Sequence, residues 1–258
     1  MSHRRWRRAL FCLAALGPVA ALVYRRELTT AGNDFSTQAV GFEIIDPGET
    51  VKISPSGPAS SVQEAEIVVR RDFLERIWTP DSLELLARGY WAFLRKAFLG
   101  LIQVIYTHDA RVVTAFGRFP LLRFGAPRYE AAEGSGSVTW PVDSGILVAR
   151  DGRGKGHLRV EVRRCDRDGV DDEVDVLADE VRLIARVEVE NFYPGLRGRG
   201  WIARWGAWFY AQTQLRIHVI ICNAFLRSLA NLDFPNVDRS SMPSERDTRA
   251  TRMEVVGG

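Results

Sequence analysis

Between residues 80 and 230 the hydrophobic period of the chain changes twice. In "TPDSLELLARGYWAFLRKAFLGLIQVIY", Leu83, Leu86, Tyr90, Phe93, Leu94, Ala97 and Leu101 recur at intervals of three and four, the stripe of an amphipathic helix. Thr79 or Asp81 suits the N-cap and Pro80 the first turn, while Gly89 and Gly100 divide or end the helix. From Arg111 the period shortens to two. "RVVTAF", "SVTWPV", "GILVAR", "HLRVEVRR" and "EVRLIARVEVENF" are short β-branched runs between Gly, Pro, Asp and Ser turns, which predicts an antiparallel sheet. Ala65 to Arg71 reads as a further strand. "RDGRGKG", Arg150 to Gly156, reads as a hairpin loop and "DRDGVDDEVD", Asp166 to Asp175, as an acidic one. Its aspartates lack the twelve-residue spacing of a calcium loop, so it reads as a solvated turn.

The helical period returns in "WIARWGAWFYAQTQLRIHVIICNAFLRSLANL". Trp201, Trp205, Trp208, Gln212, Leu215, Val219, Cys222, Leu226 and Leu229 form one stripe, predicting a long helix from about Trp201 to Leu232 that packs on the sheet. Arg204, Arg216 and Arg227 exclude a lipid-facing span. The preceding "VENFYPGLRGRGW", Val189 to Trp201, reads as the clasp that reverses the chain from the last strand into this helix. Pro194 fixes φ there, and Gly195, Gly198 and Gly200 permit positive φ.

At the N-terminus a charge-free run, Ala9 to Tyr24, follows His3, Arg4, Arg5, Arg7 and Arg8 and is closed by Arg25 and Arg26. Sixteen residues at about 1.5 Å each cover about 24 Å, short of the roughly 30 Å of a bilayer core unless the flanking arginines snorkel. The run is a signal anchor or transmembrane helix, a cleaved signal peptide, or a mis-start or buried helix. The arginine excess before it places the N-terminus in the cytoplasm, hence a membrane protein with a single N-terminal span and an extracytoplasmic domain. Residues 27–62 read as a polar linker, with "SPSGPASS" at its end and "AVGFEII" and "TVKIS" as a small hairpin. Residues 63–234 form the folded domain and 235–258 a disordered tail.

Composition narrows the function classes. The net charge is +3, and only Lys52, Lys96 and Lys155 are lysines, yet the arginines are scattered among 32 acids and form no basic stripe with interleaved aromatics. No nucleic-acid partner is expected. Cys12, Cys165 and Cys222 lack metal or redox spacing, so no metal is expected; Cys165 and Cys222 form either one disulfide or two buried thiols. No nucleophile elbow, phosphate loop or dinucleotide fingerprint occurs, and no cofactor is expected.

The order strand, helices, antiparallel strands and C-terminal helix resembles the START-like or SRPBCC helix-grip superfamily. Within it the chain is similar to an uncharacterised SRPBCC-type family found fused to epimerase-like domains, on Phe192, Pro194, Gly195, Leu196, Gly198, His218 and Phe225. The resemblance covers about Ala65 to Asp233. It implies an α+β fold in which an antiparallel curved sheet grips a long C-terminal helix, preceded here by an N-terminal hydrophobic helix, with an apolar cavity between sheet and helix.

The candidate ligand-binding residues are Gln214, His218, Trp208, Tyr210 and Asp143. Gln214 precedes His218 by one helical turn, so both can form the polar end of a cavity; otherwise His218 is a core histidine satisfied by a strand carbonyl or loop. Asp143, in "WPVDSG", is a general base or the turn residue before Ser144 and Gly145. The expected function is a membrane-anchored, non-catalytic binding or carrier domain, with membrane lipid and a hydrophobic small molecule as partners. Two alternatives stand beside it: a cyclase, dehydratase or isomerase using His218, and a structural envelope protein with a filled core.

Overall fold

Alternation of buried and half-exposed residues sets the architecture. The computed structural model describes residues 39–45, 51–53, 58–165, 179–193 and 218–230, and 54% of them lie in strands. The first three strands are β1 (Ala39–Ile45), β2 (Val51–Ile53) and β3 (Ala59–Arg70). Two helices follow, α1 (Arg71–Ile77) and α2 (Pro80–Ala97). The chain then runs through β4 (Ile102–Tyr106), β5 (Ala110–Ala115), β6 (Phe119–Gly125), β7 (Arg128–Ala132), β8 (Ser135–Ser144), β9 (Gly156–Cys165) and β10 (Glu180–Phe192). A further helix, α3, is described over residues 218–230.

All ten strands join one antiparallel sheet in the order β1-β3-β10-β9-β8-β6-β5-β4, with β2 also on β3 and β7 on β8. The two faces differ sharply. On the inner face of β3, Ala59, Ser61, Gln63, Ala65, Ile67 and Val69 are buried. The outer face is a lattice of arginine and glutamate in which Arg186 stands directly between Glu64 and Glu161 on the neighbouring strands. Arg186 reaches Glu64 at 3.0 Å and Glu188 at 3.3 Å, and Arg182 reaches Glu66 at 3.2 Å. Cross-strand pairs of opposite charge are the favourable arrangement on a wet sheet face, and they account for many of the scattered arginines.

The inner face is covered by α2, which buries Leu86, Ala87, Tyr90, Trp91, Phe93 and Ala97. Thr79 is the N-cap residue and Pro80 opens the helix, as the sequence predicts, but the Thr79 hydroxyl meets Ser82 Oγ at 3.0 Å instead of capping a backbone amide. Gly89 does not divide the helix, because it is buried in its packed face. Gly100, at φ 77, ends the turn after it. Tyr90, Trp91 and Trp140 form the aromatic centre; Trp91 meets Trp140 edge-on at 5.1 Å, and Phe225 of α3 meets Tyr90 at 5.0 Å.

Several expectations are corrected. The helix-grip architecture is not what the structure describes: among the described residues strands dominate, the longest helix is α2, which precedes seven of the strands, and no long C-terminal helix is seen. Of the helix expected from Trp201 to Leu232, only residues 218–230 are described; within them Cys222, Leu226 and Leu229 are buried and Val219 is half-buried. The N-terminal hydrophobic helix, the glycine-arginine clasp after Tyr193, the acidic loop and the tail lie outside the described residues. No described helix is long and apolar enough to cross a membrane.

The segment read as a linker contributes strands to the sheet. β1 and β2 do not pair with each other as a hairpin; both hydrogen-bond to β3, which begins at Ala59 inside the Ser-Pro-Gly run. "GILVAR" is not a strand. Gly145 sits at φ 142, and a Cβ there would lie 2.2 Å from the Leu121 carbonyl oxygen, so the chain turns sharply at the end of β8. The amides of Ile146 and Leu147 then donate to the carbonyls of Pro120 and Leu121 at 3.2 and 3.1 Å, which attaches this loop to β6.

Candidate functional site: an apolar cavity at the start of the second helix

The sheet register produces a row of small side chains. Ala65 on β3 faces Ala185 on β10, Ala185 faces Val162 on β9, Val162 faces Gly136 on β8, and Gly136 faces Ala131 on β7. Four of these five positions are alanine or glycine, so the inner surface is recessed beneath the start of α2. Leu83 descends toward the recess so closely that a Cβ on Gly136 would lie 2.5 Å from its Cδ2. What is left is a cavity of about 310 Å³.

Its floor is Ile67, Val69, Leu183, Ala185 and Val162, its roof Phe73, Leu74, Leu83, Leu86 and Leu229, and its surface is overwhelmingly apolar. Polar groups gather where Ile77, Thr79, Ala132 and Glu133 reach solvent. Trp78 Nε1 donates to the Glu133 carbonyl at 3.3 Å, tying the α1–α2 junction to the turn after β7. The Arg164 guanidinium lies 5.9 Å from the centroid of the Trp78 ring. The Ser82 hydroxyl contacts Thr79 Oγ1 and the Ile77 carbonyl. A ligand entering here meets hydroxyls and a backbone turn first and hydrocarbon beyond.

Of the residues singled out in the sequence, the two that are described, Asp143 and His218, do not line this cavity. Trp208, Tyr210 and Gln214 are outside the described residues. Asp143 stands near the end of β8 with its carboxylate 3.1 Å from Arg123 Nε and half its side chain in solvent, away from the cavity. His218 is half-buried, and Nε2 is 3.4 Å from Cys222 Sγ one helical turn along α3. Cys222 is fully buried and Cys165 partly so, and both are free thiols.

Burial controls this His–Cys pair. It pushes the Cys222 thiol upward and His218 down to about 4, so both groups are neutral at physiological pH. The Tyr90 hydroxyl is likewise held well above the ordinary phenol range, by burial first and by Cys222 second. A neutral thiol beside a neutral imidazole lacks the thiolate that nucleophilic chemistry requires. Among the described residues no cluster of ligands that could hold a metal occurs.

His218 gives a pH prediction. Its folded pKa lies below the unfolded value of about 6.5, so the unfolded chain takes up the proton first. The contribution of neutral His218 to stability is fully present above pH 6.5 and is lost as pH falls toward 4, by up to about 3 kcal/mol. Urea midpoints of wild type and His218→Phe at neutral and mildly acidic pH check this: the variant should show the shallower pH dependence, and equal slopes would refute it.

No protein-family model matches the chain, and no curated protein matches it in sequence. The cavity's own geometry is what bears on function. Sequence reasoning missed its residues because alanines and a glycine on three different strands become a recess only once the register aligns them.

Proposed function

We propose that the protein is a non-catalytic binding or carrier domain for a small apolar molecule, held at a membrane by the run from Ala9 to Tyr24. The cavity of about 310 Å³ carries this reading: it falls at the lower end of ligand-site volumes, has hydrocarbon walls, and places its few polar groups at one end. A volume of this order is small for a ligand site. That favours one short chain or a compact ring system with a polar head over a two-chain lipid. The neutral His218–Cys222 pair, which does not line the cavity, supports the non-catalytic part of the reading.

Native mass spectrometry of the full chain, followed by solvent extraction and mass analysis of the released material, tests the proposal. The expected result is a bound apolar species of this size, released on unfolding. A chain that carries no such species and does not take up decanol would shift the reading toward a structural role for the domain.

A further inference from the structure

Two turns at one end of the sheet hold large apolar side chains out in solvent. Leu99, just after α2, is 62% exposed, and Phe116, between β5 and β6, is 36% exposed. Both adopt left-handed backbone conformations, φ 51 and φ 52, which bulky L-residues rarely occupy, and each is followed by a glycine that is also left-handed. The turns are tied together, since the Phe116 amide donates to the Leu101 carbonyl at 2.7 Å. Two adjoining turns thus each display a large apolar side chain, where a polar residue would satisfy the same backbone.

Among the described residues, the charges that adjoin them in the chain are cationic. Arg95 and Lys96 occupy the last turn of α2, and Arg118 follows Gly117. From residue 85 to residue 129 the only acid is Asp109, which sits at the far end of the β4–β5 hairpin and pairs with Arg123 at 3.0 Å. Apolar tips set in a cationic rim complement a surface that is anionic outside and hydrocarbon beneath.

We propose that this end of the sheet docks on an anionic lipid bilayer, with Leu99 and Phe116 entering the boundary between headgroups and acyl chains and Arg95 and Arg118 meeting the headgroups. The contact is independent of the cavity, whose polar mouth lies at the other end of α2, about 27 Å away for a helix of 18 residues.

Site-directed spin labelling of the full chain tests the docking locally, whatever the N-terminal run contributes to membrane attachment. Cys12→Ser and Cys165→Ser remove the other reactive thiols, and buried Cys222 remains unlabelled as long as the domain is folded. Nitroxides are placed at Leu99→Cys and Phe116→Cys, with Glu75→Cys on exposed α1 as control. On vesicles of phosphatidylcholine with phosphatidylserine, the labels at 99 and 116 should become accessible to oxygen and shielded from an aqueous nickel chelate, while the control stays aqueous. Arg95→Glu with Arg118→Glu should reduce the inserted fraction roughly tenfold or more. Labels that remain aqueous at both positions overturn the proposal, as does equal insertion into phosphatidylcholine alone. Spin–spin broadening at 99 or 116 without vesicles would also overturn it, by showing that a second copy of the chain covers the patch.

Discussion

Trp140→Ala should destabilise the domain by about 3–5 kcal/mol, the range for removing a buried tryptophan without collapse of its surroundings. Trp140 is fully buried on β8, edge-on to Trp91 and stacked with Tyr90 at 6.2 Å. Tyr90 in turn meets Phe225, so the indole supports the contact between α2, α3 and the sheet. A loss of that size is a large part of the 5–15 kcal/mol that ordinary domains have in total. The conservative change should behave differently. Trp140 Nε1 is buried without a hydrogen-bond partner, so Trp140→Phe removes an unsatisfied donor along with part of the ring, and the two effects oppose each other. Urea unfolding should place Trp140→Phe within about 1.5 kcal/mol of wild type. Similar losses for both variants would mean that the indole nitrogen is satisfied in solution.

How far the sequence disclosed this fold depended on whether each element's signal was local. β10 was legible almost residue for residue, because Val181, Leu183, Ala185 and Val187 alternate with Arg182, Arg186 and Glu188, Ile184 being the one apolar exception. The start of α2 was legible for the same reason, through Thr79, Pro80 and the stripe from Leu83 onward. α1 was not: seven residues directly after a strand hold too little periodicity to separate from it. β6 and β7 were passed over, as "FPLLRFG" contains a proline and "RYEAA" buries no residue. The site prediction fell mainly on the expected C-terminal helix, at Trp208, Tyr210, Gln214 and His218, of which only His218 is among the described residues; the cavity that is described follows small side chains instead. Room for a ligand arises where side chains are small.

That contrast sets the last expected result, which concerns Ala185. Its neighbours across the strands are Ala65 and Val162, and it forms part of the cavity floor. Ala185→Phe places a ring in that space. In a filled core the same change would force strain of about 1–3 kcal/mol or more. Above an open recess the ring occupies volume that is already vacant, and its burial offsets the remaining misfit. Stability should therefore stay within about 1.5 kcal/mol of wild type, while affinity for decanol, titrated calorimetrically against the full chain, should fall by roughly a hundredfold or more as the ligand's volume is lost. The two readouts separate two failures. A strongly destabilised variant would mean that the recess closes in solution; a stable variant that still binds decanol would place the apolar ligand elsewhere on the molecule.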